Sequence, residues 1–594
     1  MKWFISFITL ILSTGLVAQT TAISIIDNPV VSNLEEIQDR MSERKSVMEY
    51  LFVNIDLNSL QNETSIHIDF FDVNAIIYRD RLVRRDSESF SWFGFSEDKS
   101  ITVVCTVSGT IVNVSILTEF ENYKIETIVD HYILERFDLT LISEQTCLIP
   151  TIDEDDFNLK MLSNDISDSE QSGRSGEPVE TEVSQCKLRI LVMYTAITKQ
   201  KDPNIENSIQ AGVDELNLSF LNSNIVGEAE LVLMVETDYK EQGDQNPNNP
   251  VYAGVLDLHN FRNTSDGYMD NVHVLRDLYS ADICVLVYEH PHPSATYSGV
   301  AYSIRSSYPN AFCIVNFRNI VSPTFTFSHE IGHLFGARHD DSQYNIPYQY
   351  GHGFVTGDKT MQTLMGKSCS ACNRVLFWSG PNTYFQGYNL GNSSSSDNAR
   401  VIIGNFDRMM YLSTINQILT VYNSDVSTLW AKTIYAGGDM LTSGNVVIQW
   451  GRNYVFRAEK TIELKAGFEV QTEAQFEAFI EACGKEDFED TDYKKGSKKT
   501  GSVDLISNVL EEGVNIRVYP NPTTNWFNIN FADVQINGVT VELFSVHGNR
   551  VKIWDVNLNQ GNNQFNLDGI APGTFLLQVS KDGESLKTIQ LIKK

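Results

Sequence analysis

The chain has 594 residues, with 76 Asp and Glu against 45 Lys and Arg, for a formal net charge of −31. That length exceeds a single hydrophobic core and fits about four domains. An acidic balance of this size with no basic stripe argues against binding a nucleic-acid backbone or docking on an anionic membrane face.

Residues 1–19, MKWFISFITLILSTGLVAQ, carry a short positive start at Lys2 and an apolar run from Trp3 to Leu12. The run is too short to span a bilayer and is followed by small and polar residues, so a signal peptide cut near Ala18 or Gln19 is expected. No later segment has 18 uninterrupted apolar residues, and no transmembrane anchor is expected after cleavage. The chain has 8 cysteines, which in an exported protein are candidates for disulfides. Cys369 and Cys372 form a CxxC without a second such pair, so they read as disulfide partners rather than a structural zinc site, with Cys313 an available partner.

Residues 20–185 are expected to form an N-terminal domain with an acidic linker. Alternation in SIHIDFFDVNAIIYRD (65–80) and SITVVCTVSGTIVNVSILTEF (100–120) marks strands. The polar stretch from Asp153 to Ser184 reads as a connector, with Arg174 accessible to proteolysis. Residues 186–413 mix strands, such as KLRILVMYTAI (187–197), with helices, such as SIQAGVDELNLSFLNSN (208–224), and predict an α/β domain. Residues 414–483 read as a small β-module of short strands and turns. After a linker at 484–513, residues 514–594 predict a β-sandwich.

The chemistry concentrates in HEIGHLFGARHD (329–340). Helical spacing puts His329 and His333 on one face, where two imidazoles can hold one ion. Glu330 stands beside the first histidine and can reach a water as general base. Gly336 lets the chain leave the helix, bringing His339 back as a third ligand. HExxH alone fixes three residues and fits ordinary buried histidines. The added Gly336 and His339, behind an export signal, favour a metal site.

HExxHxxGxxHD resembles the metzincin clan of zinc endopeptidases, in particular its reprolysin-like (adamalysin-like) branch. The resemblance implies an α/β catalytic domain with a mixed sheet and a zinc helix. It implies His329, His333 and His339 as Zn²⁺ ligands, Glu330 as base and Asp340 as a structural residue under the site. A methionine turn is implied in MQTLMGKSCSACNRVLFWSGP (361–381), at Met365 in preference to Met361. Lys367 stands where some relatives place an additional tyrosine ligand, so three protein ligands are expected. His352, in YGHGF (350–354), reads as a loop residue, with a direct role as the alternative.

Extended substrates of this clan pair with an edge strand, here GVAYSI (299–304), which makes Gly299, Val300, Ala301 and Tyr302 the candidate substrate strand. The strand CIVNF (313–317) is expected between that edge and the helix, and the pocket after the scissile bond is expected around Val375 to Trp378. Residues 20–185 occupy a propeptide position, with Cys147 and Cys186 the candidates for a thiolate that blocks the metal. VYPNP (518–522), ELFSVHGNRV (542–551) and APGTFLLQV (571–579) resemble a type A sorting domain of the type IX secretion system. That implies type IX machinery as a partner and a secreted or surface-attached protein.

The expected function is therefore a secreted zinc endopeptidase acting on proteins or peptides. The alternative is a surface adhesin on an idle metalloprotease-like domain, for which a base beside the ligands has no physical purpose. The acidic balance also raises Ca²⁺ as a second ion, but DQNPNN (244–249) lacks EF-hand spacing and no residues are assigned.

Overall fold

The computed structural model describes residues 21–142, 146–148, 187–241, 250–289, 297–413 and most of 418–480 and 516–593, apart from scattered positions inside these ranges. The signal segment, the connector with Arg174, Cys186, the 244–249 loop and the 484–501 linker lie outside the described residues.

Nine strands between Thr21 and Phe137 close into a barrel around Ile68, Trp92, Val114 and Ile125. Ser65–Phe70 keeps the predicted alternation, whereas the strands from Ser89 to Ile128 are buried along almost their whole length. Their second face is covered as well, since Phe93, Val104 and Leu117 belong to the core of the following domain. Thr106 Oγ1 of the barrel donates to Asp214 at 2.6 Å, and Ser115 Oγ to Glu215 at 2.5 Å, both on the helix Ile205–Asn222.

The central domain is built on a six-stranded sheet. Its order is Thr146–Leu148, Tyr297–Ala301, Phe312–Asn316, Ile283–Tyr288, Leu188–Thr195 and Ala229–Thr237. Tyr297–Ala301 runs antiparallel to Phe312–Asn316, while the strands inboard of it pair in parallel. Ile190 and Val192 enter a core with the helices Ile205–Asn222 and Thr326–Phe335; Leu191 and Met193 enter a second core with Leu258, Phe261 and Val272. Both faces of Leu188–Thr195 are therefore buried, which explains its uninterrupted apolar run. The helix Pro250–Arg262 covers this second face with Leu258 and Phe261.

Residues 418–480 are more regular than the expected strands and turns. They coil as a parallel solenoid, with Thr433 paired to Val455, Val455 to Glu477 and Val447 to Glu469. The solenoid joins the second core of the central domain through Val421, Ile434 and Phe456. The last region packs sheets of three and four strands around Phe527, Val541 and Leu577, as a sandwich should. Among the described residues, no helix is long and apolar enough to cross a membrane.

Candidate metal centre

The helix Thr326–Phe335 is buried throughout, and Phe327, Ile331, Leu334 and Phe335 contribute its apolar contacts. It ends at Gly336, whose φ of +119° is costly for any residue with a Cβ. This left-handed exit turns the chain back, and His339 meets the two helical histidines. His339 Nε2 lies 3.0 Å from His329 Nε2 and 3.1 Å from His333 Nε2.

The other ring nitrogens set the tautomers. His329 Nδ1 donates to Leu364 O at 2.7 Å, and His333 Nδ1 donates to Ala337 O at 2.8 Å. Those contacts put the protons on Nδ1 and leave both Nε2 lone pairs facing His339. Burial pushes all three imidazoles below the usual histidine range, His333 to about 3, so they stay neutral near pH 7. Three convergent lone pairs repel one another unless a cation lies among them. A tetrahedral Zn²⁺ with Zn–N of about 2.0–2.1 Å holds its nitrogens roughly 3.3 Å apart, so the donor set fits zinc. Among the described residues this is the one cluster of three or more ligating side chains, and no calcium cluster appears.

Glu330 is fully buried on the same helix, and its carboxylate lies against the strand Tyr297–Ala301. A Cβ on Gly299 would stand 2.6 Å from Glu330 Oε1 and 2.6 Å from Thr326 Cγ2, so only glycine allows this approach. The helix thus packs directly on the edge strand. The expectation that 313–317 would separate them is corrected: Phe312–Asn316 lies inboard in the sheet.

Asp340 Oδ1 accepts from the backbone N–H of Lys367 at 2.6 Å and of Ser368 at 3.2 Å, and Oδ2 accepts from Ser368 Oγ. It joins the segment after the third histidine to the turn at Met365. Met365 is fully buried, with Sδ 3.1 Å from the position a Cβ on Gly332 would take, so it lies beneath the helix. Met361 lies instead in a separate small core with Val375 and Leu390. His352 Nδ1 donates to His339 O at 3.0 Å, which places it behind the trio.

Cys369 and Cys372 are bonded to each other. Cys313 is a buried free thiol in the sheet, and the option of pairing it with them is corrected. Cys147 falls on the strand Thr146–Leu148, but its side chain and Cys186, the expected thiolate candidates, lie outside the described residues.

Two features escaped the sequence reading. The candidate substrate strand does not present an open edge, because Thr146–Leu148 pairs with it in parallel, Cys147 opposite Gly299 and Leu148 opposite Val300. Tyr302 follows the strand and donates its N–H to Phe312 O at 2.9 Å. In addition, a cavity beside His329 is lined by Lys367 and Arg374 and by Leu139 and Ile142 from the N-terminal region. Val375, Leu376 and Trp378, expected at this pocket, are core residues with at most 3% exposure.

Comparison with known proteins agrees with this arrangement. The family described as Metallo-peptidase family M12 matches residues 183–378, and the Secretion system C-terminal sorting domain matches residues 517–594. The chain is 34% identical over 241 residues to a peptidyl-Asp metalloendopeptidase of Xanthomonas campestris pv. campestris, covering 40% of this chain and 54% of that protein. Two relatives of the same name from Stenotrophomonas maltophilia are 32% and 31% identical, each match covering 52% of this chain and 69% of the relative. The chain thus spans little more than half of the Xanthomonas relative. A metallopeptidase-family domain is thus followed, at the end of the chain, by a secretion-system sorting domain. The chain belongs to Metallo-peptidase family M12.

Proposed function

We propose that this protein is a zinc-dependent endopeptidase of metzincin type that hydrolyses peptide bonds with Glu330 as general base. The observation that carries the reading is that His339 Nε2 lies within 3.1 Å of the Nε2 atoms of His329 and His333, on a helix that also bears Glu330. His329, His333 and His339 would hold the ion. Bound zinc would supply a Lewis acid that polarises the carbonyl and acidifies water. Glu330 accepts the proton of the attacking water and passes it to the departing amine. Gly299 and its neighbours offer backbone groups to an extended peptide. Since the relatives are named for peptidyl-Asp bonds, we extend to this chain a preference for an acidic residue at the cleaved bond.

The N-terminal domain serves as a propeptide. Its supports are the strand Thr146–Leu148 on the substrate edge and Leu139 and Ile142 in the cavity beside His329. Because that strand pairs in parallel, it runs opposite to a peptide bound antiparallel to the same edge, which misaligns its own carbonyls for attack.

The test is metal analysis of the full purified chain, with casein hydrolysis followed with and without chelator. About one zinc per chain and chelator-sensitive hydrolysis are expected. Zinc binding without hydrolysis, even after the N-terminal domain is cut away, would favour the idle adhesin instead.

A further inference from the structure

We propose that Lys367 and Arg374 form a basic subsite that selects an acidic side chain at the residue following the scissile bond. The inference rests on the endopeptidase reading above and assigns residues to its substrate preference.

The cavity beside His329 is bounded by Thr326 of the histidine helix, Ser298 of the edge strand and the loop from Lys367 to Arg374. Among the described lining residues, two are cations and none is a carboxylate. A carboxylate entering it would exchange water for charge-assisted contacts, whereas a lysine would meet two like charges next to a metal site.

Arg374 is held by its side chain and Lys367 by its backbone. The backbone N–H of Lys367 donates to Asp340 Oδ1 at 2.6 Å, which fixes where the side chain departs. The Arg374 guanidinium donates to Thr324 O at 2.9 Å and to Gly366 O at 2.8 Å, spanning the two walls. The disulfide between Cys369 and Cys372 closes the loop that separates them. The Arg374 charge, already in position, loses little entropy on binding a partner, and so discriminates well.

Strand polarity assigns the position. Glu330 lies against Gly299, and Ser298 precedes Gly299 on the edge strand. A peptide added antiparallel to that strand, with its scissile bond at Glu330, runs its following residue toward Ser298 and the cavity.

The experiment uses the full zinc-loaded chain, intact and after limited proteolysis within 149–186. Peptides differing only in Asp, Asn or Lys at one position are hydrolysed, and the cut is mapped by mass spectrometry. The wild type should cut before Asp with kcat/KM at least about 10-fold above Asn, as a charge-assisted contact implies. Lys367→Gln should lower that Asp:Asn ratio, and Lys367→Glu should turn the preference toward Lys. Arg374→Gln should also lower the ratio. Since its packing contacts make misfolding a hazard there, the fall of the wild-type ratio with rising salt gives a second reading. An unchanged ratio in both Gln variants, selection of an acid on the other side of the bond, or cleavage without acidic preference would overturn the proposal. Absence of all hydrolysis would instead sink the endopeptidase reading itself.

Discussion

At the scale of single residues, the site depends on atoms whose partners lie far apart in sequence. Glu330 is adjacent to His329 along the chain, yet its carboxylate is placed by Gly299 on another strand. Glu330→Gln keeps the volume and removes the proton acceptor. It should retain zinc while kcat falls by about 10²–10⁴-fold, as expected for loss of a general base. Metal content and kcat measured on the same preparation check this, and a variant keeping a tenth of wild-type kcat would exclude Glu330 as the essential base. The three histidines and Glu330 were legible because helical spacing is a local property. The contributions of His352 and of the Lys367 and Arg374 pair were not, since each depends on a loop folding back across the helix.

At the scale of elements, the helix Ile205–Asn222 joins the two N-terminal domains. Glu215 sits on it beneath the barrel, accepting from Ser115 Oγ at 2.5 Å and from the Ser322 backbone N–H at 3.2 Å. Burial pushes its carboxyl up to about 8, against the usual value near 4.5. The folded state therefore holds a proton that the unfolded chain releases. This contribution to stability is complete below about pH 4.5 and is lost as pH rises toward 8. Melting temperature measured against pH should fall across that window, and Glu215→Gln, which cannot ionise, should fall less. Equal slopes for the two proteins would show that Glu215 does not titrate there. The strands of the barrel were readable from alternation and apolar runs. That one barrel face covers the helix was not, because residues buried on both faces carry no periodicity.

At the scale of the whole molecule, the N-terminal domain and the sorting domain bear on the enzyme differently. The former places Thr146–Leu148 on the proposed substrate strand, tethered at an effective concentration on the order of millimolar. Cutting within 149–186 and removing the barrel should raise casein hydrolysis by roughly 10-fold or more, since a tethered competitor is lost. Equal rates before and after the cut would exclude latency. The sorting domain touches the catalytic unit through Phe544, which is buried in the second core with Val272 and Phe312, and through Arg550, 3.6 Å from the buried Asp270. Both contacts fall on the core opposite the one that holds the histidine helix, so a chain ending near Cys483 should still hydrolyse peptides. In the native host the same truncation should accumulate in the periplasm, which fractionation and immunoblotting would detect. Wild-type amounts in the medium would show that the tail is not the export signal.

The sequence by itself pointed to the three histidines that the fold brings together, to Glu330 beside them, and to the peptidase family and the sorting tail. Each rests on residues close together along the chain, where helix geometry or a short motif sets the spacing. Only the tertiary structure decided that Thr146–Leu148 lies on the edge strand, that 418–480 coils as a parallel solenoid, and that two cations stand beside His329. Parallel pairing joins segments separated by a full coil or by more than a domain's length of chain, and it leaves no local pattern to read. The closed edge and the charged cavity come from that long-range packing, and the proposals on latency and on acidic preference rest on them.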